Sequence, residues 1–250
     1  MTAKSALPAL NVVALIAALL IAWQILFEVA GTQAMTPPLE TFRYLAELLT
    51  TEAFWGHIGE TGRAFFVALA LAVLLGLGIG FLLGAQRFAR EVFEPILVAF
   101  YSIPKITLYP IILLAFGLGL PAKIAFGTIH GIVPVALFTI TAVRDVNPIL
   151  LKTARVFRLS PAKLVGSVLL PAALPEIFTG IRIGFALTLI GTLLGEMFGS
   201  QRGLGYLLMT AIGLQNIRLI MAVTLLIVLF AASVSTLLIV IDHRLHNRAS

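Results

Sequence analysis

The chain has 250 residues, of which 60% are hydrophobic and only 11% charged, with a net charge of +6 and no cysteine. A water-soluble domain carries roughly 25% charged residues, so this composition excludes one and places the chain in a bilayer. The lack of cysteine excludes disulfides and thiolate metal sites, and the positive excess is assigned to membrane orientation rather than to a nucleic-acid partner.

A spanning helix needs about 20 apolar residues. Residues 9–27 meet that length and are read as a retained first helix rather than a cleaved signal. Residues 28–63 differ in character, with Glu28, Glu40, Glu47, Glu52 and Glu60 against Arg43 and Arg63. Within them Pro37 and Pro38, followed by Leu39, Phe42, Leu45 and Leu49 at helical spacing, predict a short amphipathic helix on the outer interface. Residues 64–85 form the second span, without charge. Its Gly76, Gly80 and Gly84 make a small-residue face that lets a helix approach closely, within one protomer or between two.

The third span is the shortest. Residues 106–122 carry Pro110 and Pro121, and an earlier start near Pro95 with a break around Pro104 is the alternative. Residues 124–143, 177–195 and 219–241 complete six spans, the fifth interrupted by Arg182. The expected fold is an all-α polytopic membrane protein, a single transmembrane domain over 1–250 with no soluble domain or linker. Positive residues stay on the cytoplasmic side of short loops. With both termini inside, ten Lys and Arg fall on cytoplasmic segments and four outside, namely Arg43, Arg63, Lys123 and Arg202.

Between the fourth and fifth spans lies a basic island, with Arg144, Lys152, Arg155, Arg158 and Lys163. Asn147-Pro148 is a helix start, a capping side chain followed by proline at the first helical position. Ser160-Pro161 is a second. Two short helices are expected, the second over about 161–169 and ending at Leu170-Pro171. Leu150, Ala154 and Phe157 fall on one face of the first. A basic loop helix also suits anionic lipid heads, but a lipid anchor does not need two capped helices, whereas a soluble motor needs a rigid knob.

Ionisable groups inside a membrane are costly and face a cavity or each other. Arg182 and Glu196 lie about 21 Å apart on one helix, too far to pair. Glu196 is expected near the outer end, in an outer gate or an ion pair with a neighbouring helix. Arg182 is expected near the inner end, at an anion's exit or in a similar ion pair. His130 either bonds a carbonyl freed by Pro134 or contacts a solute. Lys105 either snorkels to the inner interface or lines the pathway. The Gly203-Leu204-Gly205 turn shapes the loop after the fifth span. The spans hold no paired carboxylates, histidine-rich metal spacing or nucleophile constellation, so a membrane enzyme is disfavoured and neither catalytic nor metal residues are expected.

The island resembles the coupling motif of binding-protein-dependent ABC importer permeases. That motif runs Glu-Ala-Ala, three residues, Gly, nine residues, Ile, one residue, Leu-Pro. Lys152-Thr153-Ala154 occupies the triplet, Arg158 the glycine, and Val168, Leu170 and Pro171 the end. Ala154, Leu170 and Pro171 match, while Lys152 replaces an acid and Arg158 the glycine. The stretches 102–119, 173–185 and 195–208 are similar to the nitrate, sulfonate and taurine branch, and the resemblance covers most of 60–245. It implies a permease homodimer with cytoplasmic ATPase subunits and a periplasmic or lipid-anchored binding protein, in a bacterial inner membrane. Lys152, Thr153, Ala154, Arg155, Phe157, Arg158, Val168, Leu170 and Pro171 would then meet the ATPase. The chain has no Gly-Lys dipeptide and so no phosphate-cradling loop of that kind. No cofactor is therefore expected here, and ATP and Mg would sit on the ATPase. The rival reading is a self-contained secondary transporter or channel whose basic island binds lipid. Substrate identity and charge stay open.

Overall fold

The structure, a computed structural model, describes residues 6–249; the side chains of 6–10, Arg155, Pro161 and 246–249 lie outside the described residues. The described residues are helical almost throughout: α1 Ala6–Ala30, α2 Pro38–Leu48, α3 Glu52–Ala85, α4 Arg87–Ser102, a 3-10 turn Lys105–Leu108, α5 Tyr109–Phe116, α6 Leu120–Arg144, α7 Pro148–Val156, α8 Pro161–Leu164, a π-helical turn Val165–Leu169, α9 Leu170–Gly199, α10 Leu204–Gly213 and α11 Ile217–Ala249. Among the described residues five stretches are long and apolar enough to cross a membrane, and six if α4 and the 3-10/α5 segment form one bent span.

The chain divides into two compact units. The larger, 57–206 with 230–250, is built on α3, α6 and α9. Gly76, Gly80 and Gly84 lie against Val135, Thr139 and Val143 of α6. A Cβ at Gly76 would sit 2.7 Å from Val135 Cβ and one at Gly84 2.9 Å from Val143 Cβ, while one at Gly80 would run into Thr139. The glycine face therefore packs inside the protomer, and both helices run in the same direction. Gly180, Gly184, Gly191 and Gly195 of α9 in turn meet Phe138, Val135, His130 and Lys123 of α6, Val135 touching both α3 and α9. Those partners descend as the glycines ascend, so α9 is antiparallel to α6. Phe65, Phe185 and Leu189 form an apolar cluster with Ala231, Val234 and Leu238 of α11.

The smaller unit comprises 1–56 and 207–229. Trp23 Nε1–H donates to the Thr36 carbonyl at 3.0 Å, tying α1 to the entry of α2. Arg218 pairs with Glu40 at 3.0 Å and lies over the Tyr44 ring. The apolar residues of α2 divide, Leu45 being buried while Leu39 and Phe42 are exposed.

Three limits differ from the sequence expectation. The third span does not run over 106–122. Gly117 to Gly119 ends it, and Pro121 lies in the first turn of α6, where a missing N–H costs nothing. The alternative's break around Pro104 is there, at Ile103-Pro104 with a bend of 91°, but its first half starts at Arg87, with Pro95 inside α4 rather than at its start. The second island helix does not stop at Leu170-Pro171. Proline 171 cannot donate to the preceding turn, and the ladder widens there, with Leu170 N–H reaching the Val165 carbonyl. A π turn absorbs the fault, and α8 continues into α9 as one 38-residue apolar stretch, Ala162–Gly199.

Candidate functional site

Both island caps form. Ile149 N–H donates to Asn147 Oδ1 at 2.9 Å, and Lys163 N–H reaches Ser160 Oγ at 3.4 Å. At the far end of α7, Arg158 has φ +48°, the left-handed backbone that ends many helices. Leu159 N–H then folds back onto the Ala154 carbonyl at 3.1 Å. That geometry explains the position: it is where the coupling motif has glycine, and here arginine carries the same backbone. Ala154 is buried at the root of α7, and Leu151 packs on a cluster of Ala142, Val146, Ala173 and Ile177.

The outer face of α7 is uncovered. The alignment of Leu150, Ala154 and Phe157 on one face does not give one buried stripe, because α7 seats by a narrow strip. Only Ala154 is enclosed, while Leu150 is exposed and Phe157 is 73% exposed. Ile149 and Val156 are exposed too, beside Lys152, Thr153 and Arg158. Beyond the elbow Val168 is partly covered, while Leu170 and Pro171 are exposed. Arg155 lies on α7, with its side chain outside the described residues. Arg144 fixes the base of the loop. It grips Asp145 through Nε at 2.8 Å and reaches Glu94 of α4 at 3.4 Å. The arginine hydrogen bond and charge hold the Asp145 carboxyl below its usual range.

At the opposite end of α6 and α9 the structure builds a polar cluster that the sequence reading did not assemble. Lys123, 1% exposed, pairs with Glu60 of α3 at 2.9 Å and with Glu196 of α9 at 3.6 Å. Its ammonium also donates to the Arg202 carbonyl at 3.0 Å. Glu196 is fully buried. It accepts the Thr61 hydroxyl at 2.8 Å and the Gly205 N–H at 2.9 Å, and Thr61 in turn accepts the Leu204 N–H at 2.7 Å. Gly203 has φ +119°, and a Cβ there would collide with the Glu196 carboxylate, so this turn admits only glycine. Glu196 thus clasps the segment after α9 to α3 and α6. Breaking such a buried pair on one side costs about 3–5 kcal/mol.

The remaining intramembrane groups separate. Arg182 pairs with Asp242 of α11 at 3.6 Å, and Thr179 donates to the same carboxylate at 3.2 Å. Glu196 therefore sits near the C-terminal end of α9, whereas Arg182, expected near the inner end, lies close to the middle of that helix, and each has a neighbouring helix as partner. His130 does not bond the carbonyl freed by Pro134, which is its own. Helical side chains lean toward the N-terminus, and its Nδ1 meets the Phe126 carbonyl at 2.8 Å. Lys105 does not snorkel. It is buried, and Nζ donates back to the Tyr101 carbonyl at 3.1 Å. Glu60, Thr61, Lys123 and Asp242 are the residues missed as partners; the only one-dimensional signal was an ionisable group at the end of an apolar run.

The family described as binding-protein-dependent transport system inner membrane component matches residues 72–250. A probable ABC transporter permease protein of Haemophilus influenzae is 34% identical over 177 residues, covering 71% of this chain and 72% of that protein. The taurine transport system permease protein TauC of Escherichia coli is 28% identical over 182 residues, covering 71% and 66%. The nitrate import permease protein NrtB of a Synechocystis species is 29% identical over 205 residues, covering 78% and 74%. An inward-facing structure of the MetNI methionine ABC transporter superposes with a TM-score of 0.66 at 24% identity, over 76% of this chain and 94% of that one, a likeness of fold. With its spans, its capped two-helix loop and this match, the chain belongs to the inner-membrane components of binding-protein-dependent transport systems, the permease subunits of ABC importers.

Proposed function

We propose that the chain forms the translocation pathway for a small solute of the sulfonate, nitrate or taurine class, as two copies of itself in a bacterial inner membrane. Its termini are cytoplasmic. A separate ATPase, holding ATP and Mg, docks on α7 and the elbow before α8, and a periplasmic or lipid-anchored binding protein delivers the solute. The observation that carries this reading is the uncovered face of α7. Ile149, Val156 and Phe157 stand exposed beside Lys152 and Arg158, on a helix capped at both ends. Apolar side chains ringed by charge on a rigid projection suit a soluble protein partner. Energy enters through that contact, since the chain has no phosphate loop of the Gly-Lys type, and rigid-body rocking gives alternating access.

Charge reversal tests the docking. Lys152→Glu with Arg158→Glu should abolish co-purification with the ATPase encoded beside the chain, and abolish solute-stimulated ATP turnover, while membrane insertion is unchanged. Full turnover in that double variant refutes docking at α7.

A further inference from the structure

The bent third span carries an unusual cation. α4 ends at Ser102, the 3-10 turn starts at Lys105, and the two halves meet at 91°. Tyr109, four residues beyond Lys105, packs edge-on against Phe126 of α6 at 4.9 Å, and Phe126 against His130 at 4.5 Å. His130 is ten residues into α6, about 15 Å along the axis, or halfway through a hydrocarbon core of about 30 Å. Non-helical backbone at that depth persists only where protein buries it or water borders it. Tyr101, Ser102, Ile103 and Pro104 on one side of Lys105, and Ile106 and Thr107 on the other, are all exposed. No described residue of this copy covers the break, so it is open to a water-filled pathway, whether within one copy or between two.

Under this exposed rim Lys105 itself is only 9% exposed. An ammonium has three donors, and here one is used, on the Tyr101 carbonyl. The Tyr101 and Phe100 rings lie 5.0 and 5.9 Å from Nζ, a cation–π seat. Among the described residues no carboxylate comes within 4.0 Å of it. The contrast with its neighbours is plain: Lys123 has Glu60 and Glu196, and Arg182 has Asp242. A cation buried without a counter-ion is costly, and it is held at the place where a discontinuous span gives a midplane site its irregular backbone.

We infer that the break in the third span is an anion-binding subsite of the pathway, with Lys105 as the counter-ion for a compact monoanion of the sulfonate, carboxylate or nitrate kind. The inference rests on the permease reading and deepens it, naming the residue that holds the anion and its place in the pathway. The two donors left on Lys105 take the anion's oxygens. The aromatic pair keeps the ammonium in place when the site is empty, and the exposed break beside it lets the anion in from the pathway.

The test is thermal unfolding of the full chain purified in detergent, at constant ionic strength in gluconate, titrated with nitrate, formate or methanesulfonate. At least one of the three should raise the wild-type midpoint by several degrees at saturation. Lys105→Arg should keep much of that rise and Lys105→Met should lose it. Without anion Lys105→Met should unfold at a higher temperature than the wild type, because an uncompensated charge is gone. A wild type indifferent to all three anions overturns the inference. So does a Lys105→Met variant that responds like the wild type. Lower anion-free stability in both Lys105→Met and Lys105→Gln also overturns it, since the lysine would then be a structural post. Co-purification with the ATPase in the same preparations reads the permease assignment separately.

Discussion

Arg158 offers a sharp test of the coupling loop. Its φ of +48° lies in the left-handed region, where an L side chain costs roughly 1–2 kcal/mol and glycine costs almost nothing. Arg158→Gly removes that strain. Glycine returns about 0.5–1 kcal/mol of the gain through the freedom of the opened loop. The net is about 0.5–1 kcal/mol in favour of the closed loop, and with RT near 0.59 kcal/mol opening becomes about two- to five-fold rarer. Hydrogen exchange on peptides covering 148–160 reads this directly. The Leu159 amide, bonded to the Ala154 carbonyl, is the key reporter. Arg158→Ala is the control, for it removes the charge and keeps the Cβ, so its exchange should not slow. Equal protection in the alanine and glycine variants refutes the backbone explanation and leaves charge as the cause. No slowing in the glycine variant refutes the strain itself.

The cluster around Glu196 predicts strong coupling. Lys123→Met should destabilise the protein by roughly 3–5 kcal/mol, and adding Glu196→Gln should recover a large part of that; simple additivity in thermal unfolding rules out a coupled pair. The glycine face of α3 predicts a contrast between neighbours. Gly80→Ala drives a Cβ into Thr139 and should cost about 1–3 kcal/mol, whereas Gly78→Ala meets nothing within 4 Å and should be neutral or stabilising. Equal melting temperatures for the two variants would disprove the close approach of α3 and α6.

What could be read in the sequence follows from the range of each signal. Apolar runs, the Asn147 and Ser160 caps and the spaced glycines are local, and each reappears in the structure. Local signals also mislead locally. Proline marked Leu170-Pro171 as a stop, yet a helix in a membrane keeps its ladder where it can, and a π turn accommodates the missing donor. Pro121 was counted into the third span because apolar length alone cannot tell the end of one helix from the first turn of the next. The Glu196 cluster was illegible for a different reason. Its carboxylate is met by Thr61, Lys123 and Gly205, residues from three other segments that only packing brings together. By sequence Lys123 reads simply as an outside charge, whereas the fold encloses it.

The π turn between α8 and α9 makes the elbow and the fifth span one continuous rod of about 57 Å, at 1.5 Å per residue over Ala162–Gly199. A rod anchored at its far end by the Glu196 clasp cannot absorb a thrust at Pro161 by bending anywhere along its regular ladder. Two places along it can yield, the widened turn at Val165–Leu169 and the ladder at Pro175, which lacks a donor. Thrust at the elbow must either work those joints or tilt the whole fifth span about its clasp, so the protein has set its hinges on the elbow side and its fulcrum at the Glu196 end.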